Sequence, residues 1–223
     1  MIEEFLRQVS IWAMPILVAI VFHEVAHGWV AHRLGDDTAA RMGRLTLNPL
    51  SHIDLFGTIL LPLLLIIANA PFLFGYAKPV PVNFNNLTNP KRDMIWVALA
   101  GPATNLFLAF CSILSLRFLL SLEFASQDSS GSFLLAVLTP LALMAKNSVV
   151  INVILAVFNI FPIPPLDGGR VLVGLLPEPH STTLARIEPY GFLIIVVLLM
   201  TDVLGAFMGP AIRFLLVILG SML

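Results

Sequence analysis

Apolar residues run along this chain in long unbroken blocks rather than in the alternating pattern of a soluble fold. The first block reaches from Ile11 to Leu34, and a short amphipathic lead-in precedes it, with Ile2, Phe5, Leu6 and Val9 at helical spacing. A second block covers Leu55 to Phe74, interrupted by Pro62 and broken at Asn69-Ala70-Pro71. Met94 to Leu122 and Phe133 to Phe161 follow, then Glu188 to Thr201 and Ala206 to Leu219, which read as a helical hairpin turning near Asp202-Val203-Leu204-Gly205. A spanning helix needs about 20 apolar residues, so these blocks predict an all-α polytopic membrane protein with about five to six transmembrane helices. It reads as one membrane-embedded domain over 1–223, its core at about 11–175 and its C-terminal hairpin at about 188–220.

Composition agrees. Hydrophobic residues make up 58% and charged residues 11%, and the mean hydropathy is +0.96. A net charge of -1 gives no basis for binding nucleic acid. The single cysteine, Cys111, cannot form an intrachain disulfide and reads as a packing residue. Glu3 and Glu4 spoil the basic start that a signal peptide needs.

Charge also orients the blocks. Arg33, Arg41 and Arg44 follow the first span, which the positive-inside rule places in the cytoplasm. Glu123 to Gly131 contains no Lys or Arg and reads as an external loop. A full crossing by Leu55–Phe74 would put Lys78, Lys91 and Arg92 outside, against that rule. A re-entrant hairpin returning to the cytoplasmic side removes the conflict and is the favoured reading. Within residues 55–90, Gly75 to Asn83 has the alternation and prolines of an extended edge strand.

Candidate chemistry sits inside the first block. His23-Glu24-Val25-Ala26-His27 puts two imidazoles four residues apart, on one face of a helix, where both can reach one metal. Glu24 lies about 100° around the helix, placed to act as a base rather than a ligand. An ionisable group in a membrane helix is costly enough to imply function, although two His and one Glu can also merely line a polar cavity. At 1.5 Å rise per residue, His27 should lie roughly 10 Å below the cytoplasmic boundary.

A catalytic zinc usually takes three protein ligands and keeps one open position. His32 lies on another face of the helix, and His52 and His180 read as solvated loop residues. Asp167 is the strongest third ligand, since it returns to the depth of His27. Pro162, Pro164 and Pro165 break the helix before it, and Gly168-Gly169 permits a tight turn after it. The competing reading makes Asp167 the N-cap of a helix beginning near Gly169.

These residues, His23-Glu24-x-x-His27, Gly101-Pro102-x-x-Asn105 and Asn159-x-x-Pro162-x-x-Pro165-Leu166-Asp167-Gly168, together resemble the motif set of the site-2 protease family of intramembrane zinc metalloproteases. Residues 43–49 and Ala77-Lys78-Pro79-Val80 are similar to its compact prokaryotic branch, and no PDZ or CBS domain fits in this length. The resemblance implies regulated intramembrane proteolysis of transmembrane protein substrates in a lipid bilayer, in a prokaryotic inner membrane, with the site near the cytoplasmic side. It implies one zinc per chain on His23, His27 and Asp167, with Glu24 as general base. Asn159 resembles the asparagine that engages substrate or oxyanion. Asn105 is a second candidate for that role, its other reading being a hydrogen bond between helices. Ala77–Val82 would pair with an extended substrate. A zinc-binding membrane transporter or chaperone could use the same ligands, and Glu24 would then be dispensable.

Overall fold

The computed structural model describes residues 2–69, 75–125 and 132–223. Its elements are almost all helical, and the described residues contain no strand. α1 (Ile2–Arg33) carries the amphipathic lead-in and the first apolar block as one helix, and α2 (Thr38–Arg41) is a single turn after it. Six residues of π-helix (Leu55–Leu60) run into α3 (Leu61–Ile67). The long α4 (Pro90–Ala125) and α5 (Ser132–Asn159) follow. The chain ends in α6 (Asp167–Leu175), α7 (His180–Ala185), α8 (Glu188–Met200) and α9 (Val203–Gly220).

Among the described residues, four segments are long and apolar enough to cross a membrane: Arg7–Arg33, Pro90–Ala125, Phe133–Asn159 and Val203–Gly220. The chain is therefore an integral membrane protein, and its packing is that of a protein dissolved in lipid. Phe118 on α4 is 63% exposed and Val217 on α9 is 71% exposed, while Asn105 and Asn152 are wholly buried. Apolar side chains gain nothing by hiding from hydrocarbon, so the polar ones are turned inward.

α1, α4 and α5 pack on one another and form the centre of the bundle. One apolar cluster joins Ala109 of α4 to Val153 and Val157 of α5 and to Leu204 and Met208 of α9. A second joins Ile113 and Leu116 to Ala142 and Val149, with Leu216, Leu219 and Met222 against it, so α9 lies along the α4–α5 pair. Arg213, on α9, is exposed and donates to the Gly209 carbonyl of its own helix.

The second apolar block comes back on itself. Tyr76 N–H donates to the Gly57 carbonyl at 3.0 Å, Thr58 Oγ1 to the Tyr76 carbonyl at 2.9 Å, and Lys78 N–H to the His52 carbonyl at 2.9 Å. Residues 76–78 thus return to the level at which 52–58 set out. That return fits the expected hairpin; residues 70–74 lie outside the described residues, as does most of the expected external loop at Glu123–Gly131. Residues 75–83 are extended but pair with no strand, and Pro79 and Pro81 deprive them of two donors. Arg44 holds the segment from its other side, donating to the Lys78 and Pro79 carbonyls at 3.1 and 3.3 Å.

Asp36, just past α1, anchors the next stretch. Its buried carboxylate accepts from the Asn83 N–H at 2.7 Å, the Asn86 amide at 2.9 Å, and both the hydroxyl and N–H of Thr38. Burial opposes the charge, but the Thr38 hydroxyl, the Asn86 amide and the two backbone N–H groups outweigh it and hold the carboxyl below its ordinary range.

Candidate metal centre and cavity

His23 and His27 lie one helical turn apart on the face of α1 that meets α4. They can stand there because α4 presents Gly101. A Cβ at that position would overlap Nε2 of both imidazoles. Space for the site is therefore made by a missing side chain on a different helix. Each ring is oriented from behind: His27 Nδ1 donates to the Val97 carbonyl at 2.7 Å, and His23 Nδ1 meets Asn105 Oδ1 at 2.6 Å.

The third group arrives from α6. After α5 ends at Asn159, the chain turns tightly through 160–166, and Gly168 and Gly169 let the start of α6 press against that turn. A Cβ on Gly168 would overlap the Ile160 carbonyl. Asp167 is the first residue of α6 rather than its N-cap, a position that Leu166 takes. Its carboxylate faces α1. Its Oδ2 lies 3.2 Å from His23 Nε2 and 3.3 Å from His27 Nε2, and the two Nε2 atoms are 3.0 Å apart. That oxygen is buried and has no hydrogen-bond partner.

These three atoms suit a metal. Two imidazole nitrogens and one carboxylate oxygen are donors that zinc takes, and around a tetrahedral zinc neighbouring donors lie about 3.3 Å apart, given bonds of about 2.0–2.1 Å. Without an ion, an orphaned buried carboxylate oxygen beside two facing ring nitrogens would be a costly arrangement. His23, His27 and Asp167 are the sole group of three such residues among those described.

Glu24 stands beside this group without joining it. Its Oε2 accepts from the Val80 N–H at 2.8 Å, which ties α1 to the extended 75–83 segment. His23, Glu24, His27 and Asp167 all open on one cavity of about 700 Å³. Its walls are mainly apolar, with Ile20, Phe56, Phe84, Phe158, Phe192 and Ile195 among them. Asn159 also lines it. One hydrogen of its amide goes to the Leu155 carbonyl at 3.0 Å, leaving the other for the cavity.

The remaining candidates sort cleanly. Asn105 is completely buried and does not line the cavity, so it touches His23 rather than anything bound there. His32 pairs with Asp37 at 2.8 Å, and His180 is exposed. His52 corrects an expectation. It is 2% exposed, not solvated, because the return of residues 76–78 covers it, and its Nε2 meets the Thr46 carbonyl at 2.8 Å. Reading the sequence missed Asn152 as part of the site; Gly101 and Val80 stood in the quoted motifs, but their contacts with the two imidazoles and with Glu24 were not read from them.

Comparison with known proteins agrees with this chemistry. The family model for peptidase family M50 matches residues 11–201. The chain is 39% identical over 196 residues to YwhC of Bacillus subtilis, covering 87% of this chain and 81% of that protein. It is 32% identical over 189 residues to Rip2 of Mycolicibacterium smegmatis, covering 85% of this chain and 66% of Rip2. Both relatives are named as zinc metalloproteases. No solved structure matches. The chain belongs to peptidase family M50, the site-2 family of zinc metalloproteases.

Proposed function

We propose that the protein is an intramembrane endopeptidase that cuts other membrane proteins within or beside their transmembrane segments, as in regulated intramembrane proteolysis. His23, His27 and Asp167 hold one zinc, and Glu24 is the general base. The observation that carries this reading is the shared cavity: a three-donor group and a separate carboxylate both open on it, beneath mainly apolar walls. Zinc in that position supplies Lewis-acid polarisation of a peptide carbonyl and a water whose pKa falls toward about 7.

The chain's own groups then divide the work. Glu24 Oε2 is engaged by Val80, so Oε1 takes the proton of the attacking water and passes it to the amide nitrogen as the C–N bond breaks. The spare N–H of Asn159 donates to the charge developing on the carbonyl oxygen. The apolar walls receive an unwound stretch of substrate, and a volume of about 700 Å³ suits a few side chains rather than a whole helix. Arg33 ends α1 and Lys91 lies at the start of α4, which Thr88 and Leu34 bring together. Arg44 bonds the 75–83 segment and Arg170 lines the cavity, so basic residues sit at the end of the bundle that holds the site, which supports a cytoplasmic position for it.

The test is cleavage of a panel of single-span substrates by purified protein, comparing wild type with Glu24→Gln while zinc is assayed in both. Loss of cleavage by about 10³-fold or more, with zinc still near one per chain, is the expected result for removal of a general base. Equal cleavage by both proteins would reject Glu24 as the base. Zinc bound reversibly, with no cleavage that depends on Glu24, is what a metal transporter or chaperone would give.

A further inference from the structure

Two carboxamides outside the cavity form a continuous polar path to the back of His23. Asn105 of α4 and Asn152 of α5 are both 0% exposed, like Ala109 one turn further along α4 and Val153 next along α5. Amides so deep in an apolar bundle must have every hydrogen-bonding group satisfied, and these do.

Two backbone carbonyls fix the direction of each bond. Asn152 Nδ2 donates to the Ser148 carbonyl at 2.8 Å and to Ser148 Oγ at 3.2 Å. A carbonyl only accepts, so this end of Asn152 is its NH₂ and the other end its oxygen. That oxygen accepts from Asn105 Nδ2 at 2.8 Å, and the second hydrogen of Asn105 Nδ2 goes to the Ala19 carbonyl at 3.2 Å. Asn105 Oδ1 is left facing His23 Nδ1 at 2.6 Å. Nδ1 must therefore carry the ring hydrogen, and Nε2 presents its lone pair toward Asp167 and His27. Turning Asn105 over would set its oxygen against two other oxygens and its NH₂ against Nδ1. The ring hydrogen would then move to Nε2, where it blocks a metal.

We propose that Asn105, braced by Asn152, is a positioning residue that fixes the tautomer and ring orientation of His23, and that the α4–α5 contact thereby sets the affinity of the site for zinc. The proposal rests on the reading of His23 as a zinc ligand. For His27 the Val97 carbonyl does the same work directly, so α4 orients both rings while α5 acts through Asn105. Neither amide reaches the cavity, which separates this role from any contact with substrate.

The tautomer is measurable without metal or activity. Nitrogen-15 histidine spectra of the metal-free wild-type protein in detergent, assigned with His23→Ala, should show His23 with hydrogen on Nδ1. Hydrogen on Nε2 would overturn the proposal. Zinc affinity, by competition with a chromophoric chelator, should fall 10–100-fold in Asn105→Leu and by less in Asn152→Leu. Unchanged affinity in Asn105→Leu, with His23→Ala strongly impaired, would overturn the proposal and leave the ligand set standing. Wild-type affinity in His23→Ala would instead overturn the ligand set.

Discussion

At the scale of single residues, the site depends as much on what is missing as on what is present. Gly101 makes room for two imidazoles, and Gly101→Ala should put a methyl group where their Nε2 atoms meet. The expected outcome is zinc content well below one per chain, with helical content by circular dichroism close to wild type. Retention of full zinc would show that the rings can withdraw. The spacing of His23 and His27 and the proline-rich approach to Asp167 were legible in the sequence because each is local: helical geometry pairs the first two, and a helix break aims the third. The contacts that Gly101, Val80 and Asn152 make were not legible, since they exist only once α4, α5 and the 75–83 segment have packed against α1.

At the scale of elements, the long apolar helices were readable from block length alone, and their ends moved by only a few residues. The short ones depended on more than length. Charge placement pointed to the return of 55–78, whereas the absence of a strand partner for 75–83 depends on what lies beside it in space. Blocking Cys111 by Cys111→Ser and introducing Asn69→Cys tests the hairpin in the membrane. Weak labelling by an impermeant reagent from outside intact cells is expected, and strong labelling would mean that the segment crosses.

The Asp36 anchor also makes a prediction about pH. Its carboxyl is held below its ordinary value, so the stability it contributes is present above about pH 4 and is lost as pH falls through the lower folded value. Asp36→Asn should cost about 2–3 kcal/mol at neutral pH, because the new NH₂ faces donors. It should also flatten the acid limb of the unfolding curve. An acid limb as steep as in wild type would assign that loss to other carboxylates.

At the scale of the whole molecule, zinc would link α1 directly to α6, two elements that otherwise meet through α4. Chelation should abolish cleavage and lower the melting temperature, with both restored by added zinc. At free zinc 100-fold above its Kd, the stabilisation is about 2.7 kcal/mol. A melting temperature indifferent to zinc would mean that the ion does not bridge these helices. The hydrogen bond from Val80 to Glu24 extends this coupling to the wall of the cavity. A bond to a charged group is worth about 1.5–3 kcal/mol, roughly one to two orders of magnitude in population. If Glu24 is the base, as proposed, its side chain is held in place chiefly while the 75–83 segment is seated, and a substrate that displaced the segment on entering would release it until the wall closed again. On that reading entry and chemistry would be interlocked, a safety catch for an enzyme whose surroundings are other membrane proteins.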